Sequence, residues 1–208
     1  MRQILGTLIF GGVLIAPILR ANQIQIDFEN LPDGTSVTNQ YPGLLFSDAT
    51  VLSAFLSLNE AEFPPHSGTN VVFDDGGPML ISFQSPAIDF SGYFTHLVPL
   101  TLVAYNGTNT VSSISSIFAN NLALSGDPGS SPNELISLSD PAGFSSIVIT
   151  GDPSGGSFTM DDVTVDFAPT TVPEPASLLL FSTVLVLIIA ANFARKMHYY
   201  RRIFKLSS

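Results

Sequence analysis

Phe158-Thr159-Met160-Asp161-Asp162-Val163-Thr164-Val165-Asp166-Phe167 is the stretch whose pattern sets the fold class. From Val163 onward apolar and polar residues alternate strictly, the period of a strand with one dry face and one wet face. Phe158 and Met160 alternate on the opposite parity, so the apolar side changes at Asp161-Asp162. One extra residue in a strand does this, and the pair is read as a β-bulge. With Val163, Val165 and Phe167 on the core, Asp161 points inward with them. A buried carboxylate has to be neutralised, hydrogen-bonded or coordinated to a metal.

Working outward, the same alternation appears at Ile24, Ile26 and Phe28. Further short runs rich in Val, Ile, Leu and Phe are read as strands at 44–46, 54–58, 70–73, 80–83, 87–94, 97–105, 111–118 and 145–150. Gly, Pro, Ser, Asn and Asp separate them every ten residues or so, and no run before residue 172 keeps a helical period over three turns. Many short strands with turn signals between them predict an all-β domain, a two-sheet jelly-roll-like β-sandwich over residues 22–168. Its first and last strands bring the termini to one end. Phe73-Asp74-Asp75-Gly76-Gly77-Pro78 and Tyr105-Asn106-Gly107-Thr108 are read as tight turns between strands.

The charges are partitioned. The chain of 208 residues holds 17 Asp+Glu and 7 Lys+Arg, and no Lys or Arg lies between Ala21 and Ala194, an interval that contains all 17 acids. A nucleic-acid surface needs Lys and Arg to displace counterions from phosphate, so that partner is excluded for the domain. Without cysteine there is no disulfide, thiolate nucleophile or Cys-ligated zinc.

Both ends read as targeting segments. Met1-Arg2 precedes the apolar run Ile4 to Leu19, the form of a secretory signal peptide over residues 1–21, with cleavage expected after Leu19-Arg20-Ala21. Residues 176–194 are uncharged and, as a helix, span roughly 28 Å, a bilayer core. Arg195, Lys196, Arg201, Arg202 and Lys205 follow. By the positive-inside rule the 195–208 tail is cytoplasmic and the domain lies on the other side. Residues 169–175 form a linker that ends in Pro173-Glu174-Pro175, where two prolines forbid helix and present an extended peptide.

Pro173-Glu174-Pro175, then a single hydrophobic helix, then the basic pair Arg195-Lys196 resembles the PEP-CTERM sorting signal over the last 36 residues or so. The resemblance implies recognition by an exosortase-type membrane transpeptidase in a Gram-negative, exopolysaccharide-producing bacterium. The helix is then removed, and the domain passes from the inner membrane to the cell surface or extracellular matrix. The opening segment from Ile26 through Asp33-Gly34 to Phe46, with the closing Gly156 to Val163, resembles the end strands of exported PEP-CTERM domains and, more loosely, of carbohydrate-binding jelly rolls. In the latter, an acid near the first strand and one in the closing Asp-Asp-Val hold a structural calcium. Carried over, Asp27 or Glu29 and Asp161 or Asp162 are the implied ligands.

The remaining chemistry is sparse. Gly151-Asp152-Pro153-Ser154-Gly155-Gly156 looks like the nucleophile loop of a serine protease, but Pro153 interrupts it and no G-x-S-x-G elbow exists. Glu60, Glu62 and Glu134 supply acids for a glycosidase without any pattern that pairs them. His66 and His96 are read as surface or satisfied core residues. Sugars stack on exposed aromatic rings, and with no Trp the candidates are Tyr41, Tyr93 and Tyr105. The expected function is thus a non-enzymatic, exported surface or matrix protein that associates with extracellular polysaccharide. The alternatives are a secreted hydrolase and a permanently membrane-anchored structural protein.

Overall fold

A computed structural model describes residues 19–171 and 176–206. Nine strands occupy the first interval: β1 (Leu19–Ile26), β2 (Leu44–Ser47), β3 (Ala49–Ser53), β4 (Asn70–Asp74), β5 (Met79–His96), β6 (Thr101–Asn106), β7 (Asn109–Ser115), β8 (Glu134–Thr150) and β9 (Phe158–Thr171). All registered pairings among them are antiparallel. The expected class, an all-β sandwich, is the observed one.

The two layers are not separate sheets. β5 and β8, 18 and 17 residues long, each serve both. The first part of β5 (79–83) runs between β2 and the end of β8, and its last part (89–96) runs between β9 and the start of β8. Between these parts the register slips twice, around Ala87. Pro86 cannot donate to a ladder there. Opposite it Gly143 has φ +86°, and a Cβ on Gly143 would lie 3.0 Å from the Pro86 ring. The bend folds one hydrogen-bonded sheet onto itself. One layer is β3-β4-β9-β5-β8, with β1 beside β9; the other is β2-β5-β8-β6-β7.

Between the layers lie Phe90, Phe94, Phe158, Met160, Val163 and Val165 from one side and Phe46, Ile81, Leu102, Ile147 and Ile149 from the other. Phe83 meets Phe144 and Phe167 edge-on at 5.7 and 6.2 Å where the sheet bends, the arrangement aromatic quadrupoles favour.

Several expected strands differ. Residues 80–83 and 87–94 are one strand, because a proline bend does not end pairing. Residues 54–58 form no strand: Phe55 is left-handed at φ +67°, and the chain enters an irregular loop, 54–69. Residues 97–100 turn between β5 and β6. The start of β8, not anticipated from sequence, places Ile136 and Leu138 in the core. The turn at Gly107-Thr108 joins β6 to β7 as expected, with Asn106 facing Asn109.

The β-rich region Ala21–Pro169 forms one compact unit. Outside it, α1 (Ala176–Leu206) is a 31-residue helix. Its window Leu180–Met197 has mean hydropathy 1.6 and none of it is buried, so by length and composition the helix is able to cross a membrane. The helix does not stop at residue 194: it continues through Arg195, Lys196, Arg201 and Arg202, residue types that propagate helix well. Residues 1–18 of the expected signal peptide and Pro173-Glu174-Pro175 lie outside the described residues, whereas Leu19, Arg20 and Ala21, expected to end that peptide, open β1.

Candidate functional site

The site is built on the bulge of β9. Ser91 pairs with Thr164 and Tyr93 with Asp161, so β9 has one residue more than β5 between those pairs. Asp162 takes φ +45°, a left-handed conformation that short polar side chains tolerate. The expected bulge is therefore present, but the inward direction of Asp161 is corrected. Cross-strand partners share a face, and Tyr93 lies on the face opposite to core-facing Phe94. Asp161 is thus on the outer face, and it is only 1% exposed because loop 54–69 packs over it.

That loop is fastened by acids. Asp161 Oδ2 accepts the amides of His66 and Ser67 at 2.8 and 2.9 Å, and Asp161 Oδ1 accepts the Asp162 amide at 2.7 Å. Asp162 accepts the Ser67 hydroxyl at 2.9 Å, and its other oxygen lies 2.6 Å from His66 Nδ1. Glu29 accepts the Thr69 and Asn70 amides at 2.9 and 2.6 Å, and the Thr69 hydroxyl at 3.1 Å. Burial pushes Asp161 up to about 6; the Ser67 and His66 amides pull against that, and the neighbouring Asp162 charge adds to it.

The imidazole of His66, held by Asp162, stacks on Tyr93 with ring centroids 3.4 Å apart and planes 10° apart. Tyr93 in turn forms part of the wall of an open cleft of about 380 Å³, together with Gln25, Ile26, Asp27, Asp162 and Thr164. One cleft thus gathers Tyr93, Asp27 and Asp162, while Glu29 and Asp161 serve the loop beside it.

The four acids implied as calcium ligands are divided between the cleft (Asp27 and Asp162) and the loop beside it (Glu29 and Asp161). Among the described residues no group of three or more His, Asp or Glu is arranged to hold a metal ion. Calcium takes six to eight oxygens that converge on it, whereas the Glu29 and Asp161 oxygens face amide hydrogens.

The other two tyrosines go elsewhere. Tyr41 packs edge-on against Phe28 and Phe46 at 5.8 and 6.3 Å and donates its hydroxyl to Asn30. Burial, helped by the charge of Asp27, pushes its phenol up to about 12, as befits a structural hydroxyl. Tyr105 lies in the other layer, opposite Thr110 and Ser146. Arg195 and Lys196 lie in α1.

The partners of Asp74, His96, Glu134 and His66 escape sequence reading. Asp74, in a segment read simply as a turn, is buried and accepts the amides of Ser157 and Phe158 and the Ser157 hydroxyl. His96 is buried against Glu134 at 3.2 Å, and Glu134 also accepts the Ile117 amide. His66 as the backing of Tyr93 has no signal in sequence. Ser154, in the protease-like loop, donates to Asp152 of its own turn.

No protein-family model matches the chain, and no curated protein does. Among solved structures, the K2 cleaved adhesin domain of Lys-gingipain is similar with TM-score 0.45 at 14% identity, over 69% of this chain and 99% of that one. A Stig cyclase from Fischerella sp. TAU gives TM-score 0.43 at 11% identity, over 72% and 100%. The CBM22-1–GH10 modules of xylanase 10B from Clostridium thermocellum give 0.34 at 14%, over 68% and 28%. At these scores the likeness carries nothing about ligand or chemistry.

Proposed function

We propose that the chain is an exported, non-enzymatic surface or matrix protein whose sandwich binds extracellular polysaccharide in the Tyr93 cleft. The observation that carries this reading is the stacked His66–Tyr93 pair beside Gln25, Asp27, Asp162 and Thr164. A saccharide presents C–H faces that lie against an aromatic ring and hydroxyls that need fixed polar partners, and small-molecule sites combine these features. A ring already packed on a second ring loses little freedom when a ligand covers its other face.

Delivery is the second half of the proposal. Helix α1 with its unburied apolar window supports membrane insertion, and Pro173-Glu174-Pro175 with Arg195-Lys196 is read as the signal for an exosortase-type transpeptidase. Intact mass analysis of the protein recovered from its native cells is the test. Loss of the residues after the Pro-Glu-Pro motif is expected, and a mature chain that retains α1 would favour permanent anchoring instead.

Binding is tested with the full chain in detergent micelles against an array of neutral, cationic and anionic glycans, with a hydrolase panel alongside. Retention of at least one glycan, lost in Tyr93→Ala, is expected. Release of reducing ends would replace this reading with a hydrolase.

A further inference from the structure

The cleft sits in a lopsided distribution of charge. On the outer face of its layer, β9 and β5 set Asp166 directly opposite Asp89, with Asp162 next to Tyr93 and Asp27 close by. Like charges directly opposite each other on a sheet are unfavourable. Consistent with that, burial and the Asp166 charge raise Asp89 above the usual carboxylate range. The outer face of the other layer is uncharged: Leu45 and Ser47, Leu80 and Ser82, Ser146, Val148 and Thr150, and Thr101, Val103 and Tyr105 lie side by side in register. No Lys or Arg occurs from Ala21 to Ala194, so apart from His66, which already lies against Asp162, no basic side chain of the domain faces the acids around the cleft.

We propose that the cleft selects an amine-bearing saccharide, with a hexosamine ring on Tyr93 and its ammonium group against Asp27 and Asp162. This rests on the saccharide reading given above and names the class of sugar. Asp27 has one oxygen engaged by the Glu29 amide, and Asp162 has one acceptor site used by Ser67 and one by His66. A carboxylate offers about four lone-pair positions, so both acids keep capacity for a cationic donor. An ammonium near the open face of a tyrosine gains further from the ring quadrupole. A uronate or sulfated chain carries charge of the same sign as these acids and is repelled.

The test measures calorimetric Kd values for the full chain in micelles with three probes. These are a glucosamine oligomer, its fully N-acetylated counterpart and a uronate oligomer of similar length. The glucosamine oligomer is expected to bind at least tenfold more tightly than the acetylated one, with the difference shrinking as salt rises, and the uronate is expected not to bind. Asp27→Asn keeps the oxygen that accepts from Glu29 and should bring the glucosamine affinity down to the acetylated level. Asp152→Asn, at an exposed turn outside the cleft, should leave it unchanged. Equal affinity for the amino and acetylated forms overturns the selection while the saccharide reading stands. So does an Asp152→Asn loss as large as that of Asp27→Asn, which would signal diffuse attraction. Uronate binding that appears on adding calcium overturns it as well. Failure of every glycan to bind overturns the saccharide reading itself.

Discussion

Asp161 concentrates the physical tension of the domain in one side chain. Three backbone amides favour its charged form, while burial under loop 54–69 opposes it, and the balance lies at about 6. The unfolded chain binds that proton only below about 3.9. A carboxyl raised on folding contributes stability that is fully present below the unfolded value and lost as pH rises through the folded one. Between about pH 4 and pH 6.5 this residue should therefore lower stability, by at most about 3 kcal/mol. Urea midpoints of the wild type and Asp161→Asn across that range isolate the effect: the wild-type curve should fall relative to the variant as pH rises. Parallel curves would mean that the residue does not titrate there. Asp74 is read in a similar way, since Asp74→Ala strands two amides and a hydroxyl in the interior. A loss of about 3 kcal/mol is expected in thermal or urea unfolding.

Among the elements, loop 54–69 and the β5–β8 bend decide most. The loop has no ladder of its own and is held at Glu29, Asp161 and Asp162. Gly68 shows how closely one clamp is built: it has φ +54°, and a Cβ there would collide with the Glu29 carboxyl. Glu29→Ala should therefore speed hydrogen exchange of the Thr69 and Asn70 amides by roughly tenfold or more, with β5 and β8 unaffected, because one local fastening is lost. Global acceleration would show that the loop is part of the cooperative core. At the bend, Gly143→Ala brings a methyl against Pro86 and forces an unfavourable φ, and unfolding measurements should show a loss of about 1–3 kcal/mol. Pairing on both sides of Pro86 and Gly143 is what makes the bend a hinge between layers rather than the end of a strand.

At the scale of the molecule, the −10 of the whole chain averages an acidic sandwich with a basic helix end. Ion pairs in the sandwich are limited to those of His66 and His96 among the described residues. Stability rests instead on the Phe-rich interior and on carboxylates that accept backbone hydrogen bonds. Mutual repulsion of the acids opposes folding and is screened by salt. Raising sodium chloride from about 10 mM to about 0.5 M at neutral pH should raise the Tm of the sandwich, and a fall would place the repulsion in the unfolded chain instead.

Sequence by itself determined the all-β class, the bulge at Asp161-Asp162, the absence of any basic surface in the domain and the apolar helix at its end. These are properties of neighbouring residues or of composition, and strand alternation is legible because it repeats every two positions. Tertiary structure alone decided that Asp161 is buried from outside, since the covering amides come from His66 and Ser67, 95 and 94 residues away. It also decided which of Tyr41, Tyr93 and Tyr105 faces a cleft, and that Glu29, Asp161 and Asp162 fasten loop 54–69 while Asp27 lines the cleft. Face and partner in a sheet depend on register and on loops packed from afar, and those long-range contacts leave no periodic trace in the chain.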